Sequence, residues 1–301
     1  MPEYPDITVY IERLKSMIEG KQLQKIRFAS PFFLRSLDPP VGSINDSKIL
    51  DIIRIGKRIT FEFEDEYFAV LHLMISGRLY WRKPEYKMSI KRDLATFDFD
   101  DGSLLITEAA TKKRASLHLV KGREQLELFN PGGLEIFSTS FDEFKNAITE
   151  ENHTLKRTLT DPRILSGIGN AYSDEILHRA KLSPILQSQK MDDGQIENLL
   201  EKIKEVLLEW TERLRDEAGE KLPEKVTAFH KQMAVHGRYG QQCPVCNTTV
   251  QRIRYVANET NYCPQCQTGG KLLADRSLSR LLKKDWPRTP EELDEKLGRK
   301  T

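Results

Sequence analysis

The first residues of the chain place an amine beside a carboxylate. The sequence begins Met1-Pro2-Glu3. If the initiator methionine is removed, Pro2 carries a free secondary amine, and an amine can attack an aldehyde carbon to form a Schiff base. An α-amino group titrates near pH ~7.7–8.0, so a useful fraction is the neutral nucleophile. Glu3 can shuttle protons. The pair therefore predicts amine catalysis, with a chance Met-Pro start as the alternative.

The cysteines of the chain form two pairs near the C-terminus. They read Cys243-Pro-Val-Cys246 and Cys263-Pro-Gln-Cys266, with 16 residues between the pairs. Two such knuckles fit a tetrahedral four-thiolate zinc site. Two disulfides or a redox pair are the alternatives, but stable disulfides are rare in the cytoplasm. Because four thiolates leave no open coordination position, we expect one structural Zn²⁺ that takes no part in catalysis.

Composition and charge exclude several classes of protein. Residues 2–20 carry six acidic or basic side chains, which excludes a secretory signal. No run of eighteen apolar residues is present, so we expect no membrane span and a cytoplasmic location. The 301 residues suit about two domains, and 39% hydrophobic content is enough for a core. With a net charge of only +2, a nucleic-acid partner would require basic residues gathered on one face.

The pattern of apolar residues changes along the chain. A helix is predicted over residues 5–19, with Gly20 as its stop. Short alternating runs between residues 23 and 137 predict an antiparallel sandwich. Helices are predicted from 141 to 214, including an amphipathic stripe from Ile196 to Trp210, and a polar loop over 216–224. Gly167 and Gly169 interrupt two helical patterns, and Ser173 is predicted to open the second helix, with acidic residues in its first turn.

These features occur in an order that resembles one family. The motifs are Pro2-Glu3-Tyr4-Pro5-Asp6-Ile7, Gly56-Lys57-Arg58, Gly167-Ile-Gly-Asn170 and the two cysteine knuckles. Over residues 2 to about 282 the chain resembles the formamidopyrimidine-DNA glycosylase and endonuclease VIII family of bacterial base-excision repair enzymes. The resemblance implies an α+β multidomain fold: an N-terminal antiparallel β-sandwich with flanking helices, then a helical helix–two-turn–helix domain with a zinc ribbon. The expected divisions are residues 2–133 (catalytic sandwich), 134–153 (connection), 154–237 (helix–two-turn–helix), 238–271 (zinc finger) and 272–301 (basic tail).

The resemblance also implies roles for individual residues. Pro2 corresponds to the nucleophile that attacks C1′ of the damaged nucleotide, and Glu3 corresponds to the proton shuttle. Lys57 matches the family's strand lysine, which holds a phosphate close to the lesion. Asn170 matches the amide that grips the DNA backbone. The implied partner is damaged double-stranded DNA, bound in the cleft between the domains by a monomeric protein.

Two regions depart from the family's pattern. Asn258 stands where the family's finger has an arginine, so we expect Arg254, or else Arg252, to contact phosphate instead. The residue that fills the gap left by a flipped base is expected to be Ile75 or a shifted Met74, with a contribution from Lys112 and its basic neighbours.

The function expected from the sequence is a bifunctional DNA glycosylase and AP lyase. It would excise oxidised bases of the formamidopyrimidine or 8-oxoguanine type through a Pro2 Schiff base, and would nick the strand by β- or β,δ-elimination. Three alternatives stay open: specificity for oxidised pyrimidines of the endonuclease VIII type, a damaged-DNA sensor without lyase activity, and a zinc-ribbon nucleic-acid module unrelated to repair.

Overall fold

The computed structural model describes residues 1–224, 230–255, 258–274, 287–296 and 298. The chain forms two compact units, one made of residues 1–133 with 208–227 and the other of 134–207 with 228–301. Strands dominate the first unit and helices the second, which confirms the predicted α+β class. Among the described residues, no helix is both long and apolar enough to cross a membrane.

The first helix buries the face that the sequence predicts. Helix α1 covers Tyr4–Ile18, and Gly20 follows its end with a φ of +78°. A Pro in the first turn does no harm there, because the N–H that it lacks would have no helical partner. The apolar residues that recur at helical spacing are all buried, namely Ile7, Tyr10, Ile11, Leu14 and Ile18.

Two antiparallel sheets form the core of the first unit, as predicted. The first has the order β1-β3-β4-β5-β9 and consists of Gln22–Leu23, Ser47–Ile55, Arg58–Phe63, Tyr67–His72 and Ser116–Lys121. The second has the order β2-β7-β8-β6 and consists of Lys25–Phe28, Asp93–Phe99, Gly102–Glu108 and Gly77–Arg82. The two inner faces meet at Phe61 and Phe97, which are fully buried with ring centroids 5.2 Å apart. Helix α2 (Arg123–Glu127) follows the last strand.

The end of the long helix α6 (Asp193–Ala218) belongs to the first unit. Arg215 donates to both carboxylate oxygens of Glu12, at 2.9 and 2.8 Å. The Tyr10 hydroxyl donates to the Pro223 carbonyl at 2.8 Å, and Leu222 joins the sandwich core. The predicted polar loop over 216–224 is therefore wrong in part, because the helix continues to Ala218 and an apolar side chain anchors the segment after it.

Helices α3 (Phe141–Thr149), α4 (Leu155–Thr160), α5 (Asn170–Arg179) and the start of α6 build the second unit. The stripe from Ile196 to Trp210 is buried, as expected. The segment expected to connect the domains contains α3. That helix begins with a capping box between Ser140 and Glu143 and buries Phe144 and Ile148. Residues 134–153 are thus part of a compact unit and carry their own core residues.

The C-terminal part of the second unit contains a hairpin and two short helices. Strands β10 (Gln251–Arg254) and β11 (Glu259–Tyr262) pair in antiparallel fashion, and α7 (Pro264–Thr268) follows. Helix α8 covers Pro290–Lys296. Of the predicted basic tail, the described part packs inward through Leu272, Leu273 and Leu293, all buried. Lys283 and Lys284 lie outside the described residues.

Gly77→Ala should destabilise the sandwich. A Cβ at this position would lie 2.3 Å from the Leu73 carbonyl oxygen, so the turn before β6 must shift. We expect the free energy of unfolding to fall by about 1–3 kcal/mol, as for other overpacked sites, in urea titrations. Gly194→Ala in α6 is the control, since its nearest neighbour would be 3.4 Å away and alanine favours a helix. An equal loss of unfolding free energy in both variants would mean that the close contact at Gly77 is not what destabilises the sandwich.

Candidate active site and finger metal site

The start of the chain is buried and held by a reciprocal pair of hydrogen bonds. Pro2 is buried, and the Glu3 residue is only 2% exposed. The Glu3 backbone N–H donates to Asp6 Oδ2 at 3.0 Å, while the Asp6 N–H donates to the Glu3 side chain. This capping box satisfies two N–H groups at the start of α1 and fixes the path of the chain there. The Glu3 carboxylate is consequently held next to Pro2.

Two carboxylates and two cations act on the amine at the chain start. Burial lowers the pKa of the Met1 amine, Glu3 and Asp6 oppose this, and the charges of Arg78 and Lys57 lower the pKa further. Lys57 and Arg78 are therefore within electrostatic range of the terminal amine. Lys57 lies in the two-residue turn between β3 and β4, and not within a strand as the sequence comparison implied.

The basic residues of the β3–β4 hairpin also affect two other side chains, Tyr4 and His72. Arg54 lies over the Tyr4 ring, 4.6 Å from its centroid, and donates to the Gly56 carbonyl at 2.8 Å. Burial and then the charges of Arg58 and Lys57 lower the pKa of His72 to about 4, so that this imidazole is neutral at physiological pH. Sequence reasoning missed Arg54 and Arg78. The Arg-Ile-Gly-Lys-Arg run over 54–58 was the available signal for Arg54.

An exposed apolar side chain marks the turn between β5 and β6. Ile75 is 56% exposed, and Met74 before it has a φ of +50°. A non-glycine residue in this region is uncommon and indicates a tightly constrained turn. Ile75 is therefore exposed at the tip of this turn and is not a core residue. Its exposure is compatible with the predicted role of filling the gap left by a flipped base.

A buried carboxylate joins this turn to the next loop. Glu108 is 1% exposed and accepts the backbone N–H groups of Arg114 and Ala115 at 2.7 and 3.0 Å. The Ser76 hydroxyl donates to its other oxygen at 3.4 Å. Lys112 is exposed in the loop between Glu108 and Arg114, whose two ends these bonds hold together. Sequence reasoning missed Glu108, because its partners are backbone groups that no side-chain pattern reveals.

The helix–two-turn–helix segment places Asn170 at the start of a helix. Helix α5 begins at Asn170, three residues earlier than predicted, after turns in which Gly167 has a φ of +81°. Arg163 holds the first turn through its bonds to Asp161, which lower the pKa of that carboxyl to about 2. The Asn170 carbonyl accepts the Lys156 ammonium at 2.7 Å. A helix start presents N–H groups suited to an anion.

The acidic residues of α5 are buried and lie beyond its first turn, whereas the sequence predicted them within the first turn. Asp174 accepts from Lys156 at 2.5 Å, pairs with His236 at 2.7 Å and accepts the Asn261 N–H of the hairpin at 3.2 Å. Buried charges need such partners. These bonds attach the finger to the helix.

The next residue of α5 makes a second attachment. The Glu175 carboxylate accepts the consecutive backbone N–H groups of Ala234, Val235 and His236 at 2.7, 2.9 and 2.9 Å. Burial raises the pKa of Glu175, and these three bonds oppose that rise. The segment that leads into the cysteines is thereby fixed on the helix.

The two arginines of the finger hairpin, Arg252 and Arg254, have different surroundings. Arg252 donates to Glu259 at 3.2 Å and lies over the Tyr239 ring, 4.1 Å from its centroid. Arg254 and Asn258 are exposed near the turn. Val256 and Ala257, which the sequence places in that turn, lie outside the described residues.

The cysteines converge as a metal site requires. Cys246 Sγ lies 3.3 Å from Cys263 Sγ and 3.4 Å from Cys266 Sγ, and Cys243 Sγ lies 3.9 Å from Cys266 Sγ. In a tetrahedron with Zn–S bonds of about 2.3 Å the sulfurs are about 3.8 Å apart. Burial raises the pKa of both Cys263 and Cys266, so these thiols would keep their protons unless a cation displaced them. The donor set therefore fits a structural metal ion, and its identity as Zn²⁺ stays a prediction.

A histidine adjoins this cluster. His178 Nε2 of α5 lies 3.3 Å from Cys243 Sγ. Burial, with a smaller effect of Arg179, lowers the pKa of His178 to about 4, which makes the imidazole neutral at physiological pH. Sequence reasoning missed this residue, since 65 positions separate it from Cys243.

Two family profiles match the chain. Residues 1–113 match the N-terminal domain of formamidopyrimidine-DNA glycosylase, and residues 133–218 match its H2TH domain. A formamidopyrimidine-DNA glycosylase-like protein of Mycobacterium tuberculosis, described as uncharacterised, is 38% identical over 162 residues, which span 54% of this chain and 99% of that relative. This chain belongs to the formamidopyrimidine-DNA glycosylase family. A further family member, the formamidopyrimidine-DNA glycosylase of Rickettsia africae, is 29% identical over 89% of this chain and 99% of its own.

Solved structures of the family share the fold. The Lactococcus lactis Fpg in complex with abasic-site DNA superposes with a TM-score of 0.79 at 24% identity, over 88% of this chain and 99% of that one. The same protein in complex with DNA containing an oxidised pyrimidine gives 0.78 at 25% identity, over 89% and 100%.

Cys263→Ser should reduce bound zinc well below one equivalent. Cys263 is fully buried among the other sulfurs, and metal binding supplies much of the folding free energy of such sites. Metal analysis of the purified full-length chain measures this. Val245→Ala, a 67%-exposed position within the first knuckle, is the control and should keep a full equivalent. A full equivalent in the serine variant would contradict a four-thiolate site.

Proposed function

We propose that this chain is a DNA glycosylase and AP lyase that removes oxidised bases from duplex DNA. The observation that carries the proposal is a buried chain start, with Glu3 fixed beside Pro2 and Lys57 within electrostatic range, in a member of this family. The substrate is a formamidopyrimidine or 8-oxoguanine base. Removal of Met1 is part of the proposal, since Pro2 otherwise has no free amine.

The reaction begins at the Pro2 nitrogen. Its lone pair attacks C1′ of the damaged nucleotide, the bond from C1′ to the base breaks, and the base leaves with a proton. Opening of the sugar then gives an iminium ion between Pro2 and C1′. Because a secondary amine gives an iminium that is already cationic, it draws electrons from C2′ once a C2′ proton is removed. The 3′ phosphate leaves, which nicks the strand.

The surroundings of the chain start suit this role. Burial is the main cause of the lowered pKa of the terminal amine at Met1; Glu3 and Asp6 oppose it, and Arg78 and Lys57 add to it. The same groups would act on a Pro2 amine one residue later. A lowered pKa increases the fraction of neutral nucleophile at physiological pH. Glu3, held by its capping box, carries protons to and from the sugar. Lys57 binds a phosphate beside the lesion.

Side chains in both units hold the DNA in this proposal. Asn170 grips the backbone from the start of α5, and Arg254 takes the phosphate contact of the finger, with Asn258 beside it as a neutral donor. Arg254 is exposed and lies nearer the turn than the half-buried Arg252, which favours Arg254 for this role. Ile75 fills the gap left by the flipped base, and Lys112 contacts the strand nearby.

A second substrate class also has support. One similar structure, the Lactococcus lactis Fpg, is described in complex with DNA containing an oxidised pyrimidine. The segment around Lys112 lacks the Arg-Phe pair of the family's purine-type enzymes. Oxidised pyrimidines are therefore the alternative substrate, attacked by the same Pro2 chemistry. A non-catalytic sensor is the remaining alternative.

Blocking the N-terminus should abolish borohydride trapping on abasic-site DNA. An N-terminal tag converts the Pro2 amine into an amide, which cannot form a Schiff base. The same tag at the C-terminus is the control and should leave the cross-linking yield unchanged. Full cross-linking by the N-terminally tagged protein would exclude Pro2 as the nucleophile, and no cross-linking by either protein would favour a sensor.

Glu3→Gln should slow base removal without weakening DNA binding. Loss of the proton shuttle should slow excision of an intact damaged base by about 10²–10⁴-fold. Affinity for abasic-site DNA should stay close to that of the wild type. Single-turnover excision rates measure the effect, with Glu66→Gln in the exposed turn between β4 and β5 as the control. Excision by Glu3→Gln at the wild-type rate would exclude the role.

Arg254→Ala should lower the salt dependence of DNA binding. Each lost phosphate contact reduces the slope of log K against log salt by about one unit. Asn258→Arg should raise it by about one unit if Arg254 leaves a phosphate within reach. Arg252→Ala is the matched control, because that side chain is engaged within the hairpin and should not change the slope. Unchanged slopes for all three variants would mean that the hairpin does not contact phosphate.

A further inference from the structure

The finger metal site has more donors than a zinc ion needs. The ligand atoms of His178, Cys243, Cys263 and Cys266 all lie within 4.8 Å of one another. Cys246 stands outside that set, yet its sulfur is 3.3 and 3.4 Å from Cys263 and Cys266. Three sulfurs thus belong to both groupings, with His178 and Cys246 as two candidates for the fourth position. A structural zinc ion takes four ligands.

The distances fit either fourth ligand. With Zn–N of about 2.05 Å and Zn–S of about 2.3 Å, a tetrahedral histidine nitrogen and cysteine sulfur lie about 3.5 Å apart. The observed separation between His178 Nε2 and Cys243 Sγ is 3.3 Å, which also suits an N–H···S hydrogen bond. The neutral imidazole has two tautomers: with the proton on Nε2 it donates to the thiolate, and with the proton on Nδ1 it offers Nε2 to the metal.

The two candidates differ in how they are held. His178 is 6% exposed on α5, the helix whose Asp174 and Glu175 already attach the finger. Cys246 is partly exposed, whereas Cys243 and Cys263 are fully buried. The histidine is therefore supplied by a fixed element on the inner side of the cluster, and the cysteine by a loop on the outer side.

We propose that His178 is a fifth donor of the finger metal site. While the four cysteines hold the ion, His178 donates a hydrogen bond to Cys243. When Cys246 is missing, His178 takes the fourth position and the ion stays bound by three thiolates and one imidazole. Helix α5 thereby contributes directly to the metal site. The proposal concerns the metal site alone and holds whether or not the chain is a glycosylase.

Zinc content of full-length variants tests this. Cys246→Ser should keep close to one equivalent of zinc, whereas Cys266→Ser should lose it, because Cys266 belongs to both donor sets. The double variant Cys246→Ser/His178→Phe should also lose the ion. Loss of zinc from a folded Cys246→Ser protein, judged by circular dichroism, would overturn the proposal, and so would retention of zinc by the double variant.

Cobalt(II) gives an independent readout of the ligands. Sulfur-to-cobalt charge-transfer intensity should fall by about one quarter from the wild type to Cys246→Ser, and the visible d–d bands should move to shorter wavelength as nitrogen replaces sulfur. An unshifted spectrum in Cys246→Ser would contradict imidazole ligation.

His178→Phe alone tests the hydrogen bond and does not depend on the folding of Cys246→Ser. Loss of a partner that orients a metal ligand typically weakens metal affinity by about 10–100-fold. Competition of zinc against a chelator measures the change. Zinc affinity equal to that of the wild type would remove His178 from the site.

Discussion

The chemistry proposed for this chain depends on how firmly its first residues are held. Chain ends usually fray, because nothing fixes the backbone on one side. Here the hydrogen bonds between Glu3 and Asp6 close the start of α1, and the apolar face of that helix is buried in the sandwich. The same contacts keep the Glu3 carboxylate next to Pro2 and place both within range of Lys57 and Arg78. An amine at the chain end can act as a nucleophile only if the helix, the sheet and the hairpin around it fix its position.

The second unit applies a similar constraint to its finger. A hairpin with one small helix has too little apolar surface to fold without help. Two buried carboxylates of α5, Asp174 and Glu175, compensate by binding backbone N–H groups of the finger, and the metal site closes beside them. Because α5 also begins with Asn170, the DNA contact proposed for the helix and that proposed for the finger are carried by one rigid element.

Local sequence patterns predicted most of the helices and strands. The errors lie at residues whose partners are distant in the sequence. The buried face of α1 follows from helical spacing, and the sandwich follows from alternating runs. The start of α5 was misplaced because acidic residues favour the first turn of a helix, whereas Asp174 and Glu175 lie further along and find partners 87 and 60 residues away. Residues 216–224 were assigned to a polar loop because the partners of that segment are distant: Tyr10, which donates to Pro223, lies 213 positions earlier, and Leu222 packs in the sandwich core. Pro2, Glu3 and the cysteines were accessible from sequence as candidates, since their chemistry is tied to position or spacing, and the catalytic roles of Pro2 and Glu3 stay predictions. Arg78, Glu108 and His178 were not, because each acts through groups that only the fold brings near.

The central claim is that the Pro2 nitrogen becomes bonded to the sugar of the damaged nucleotide. Peptide mapping by mass spectrometry of the borohydride-reduced complex with abasic-site DNA tests it most directly. If Pro2 is the nucleophile, the sugar adduct lies on the peptide that begins with Pro2, at the nitrogen of that residue. An adduct on a lysine, above all on the neighbouring Lys57, would contradict it.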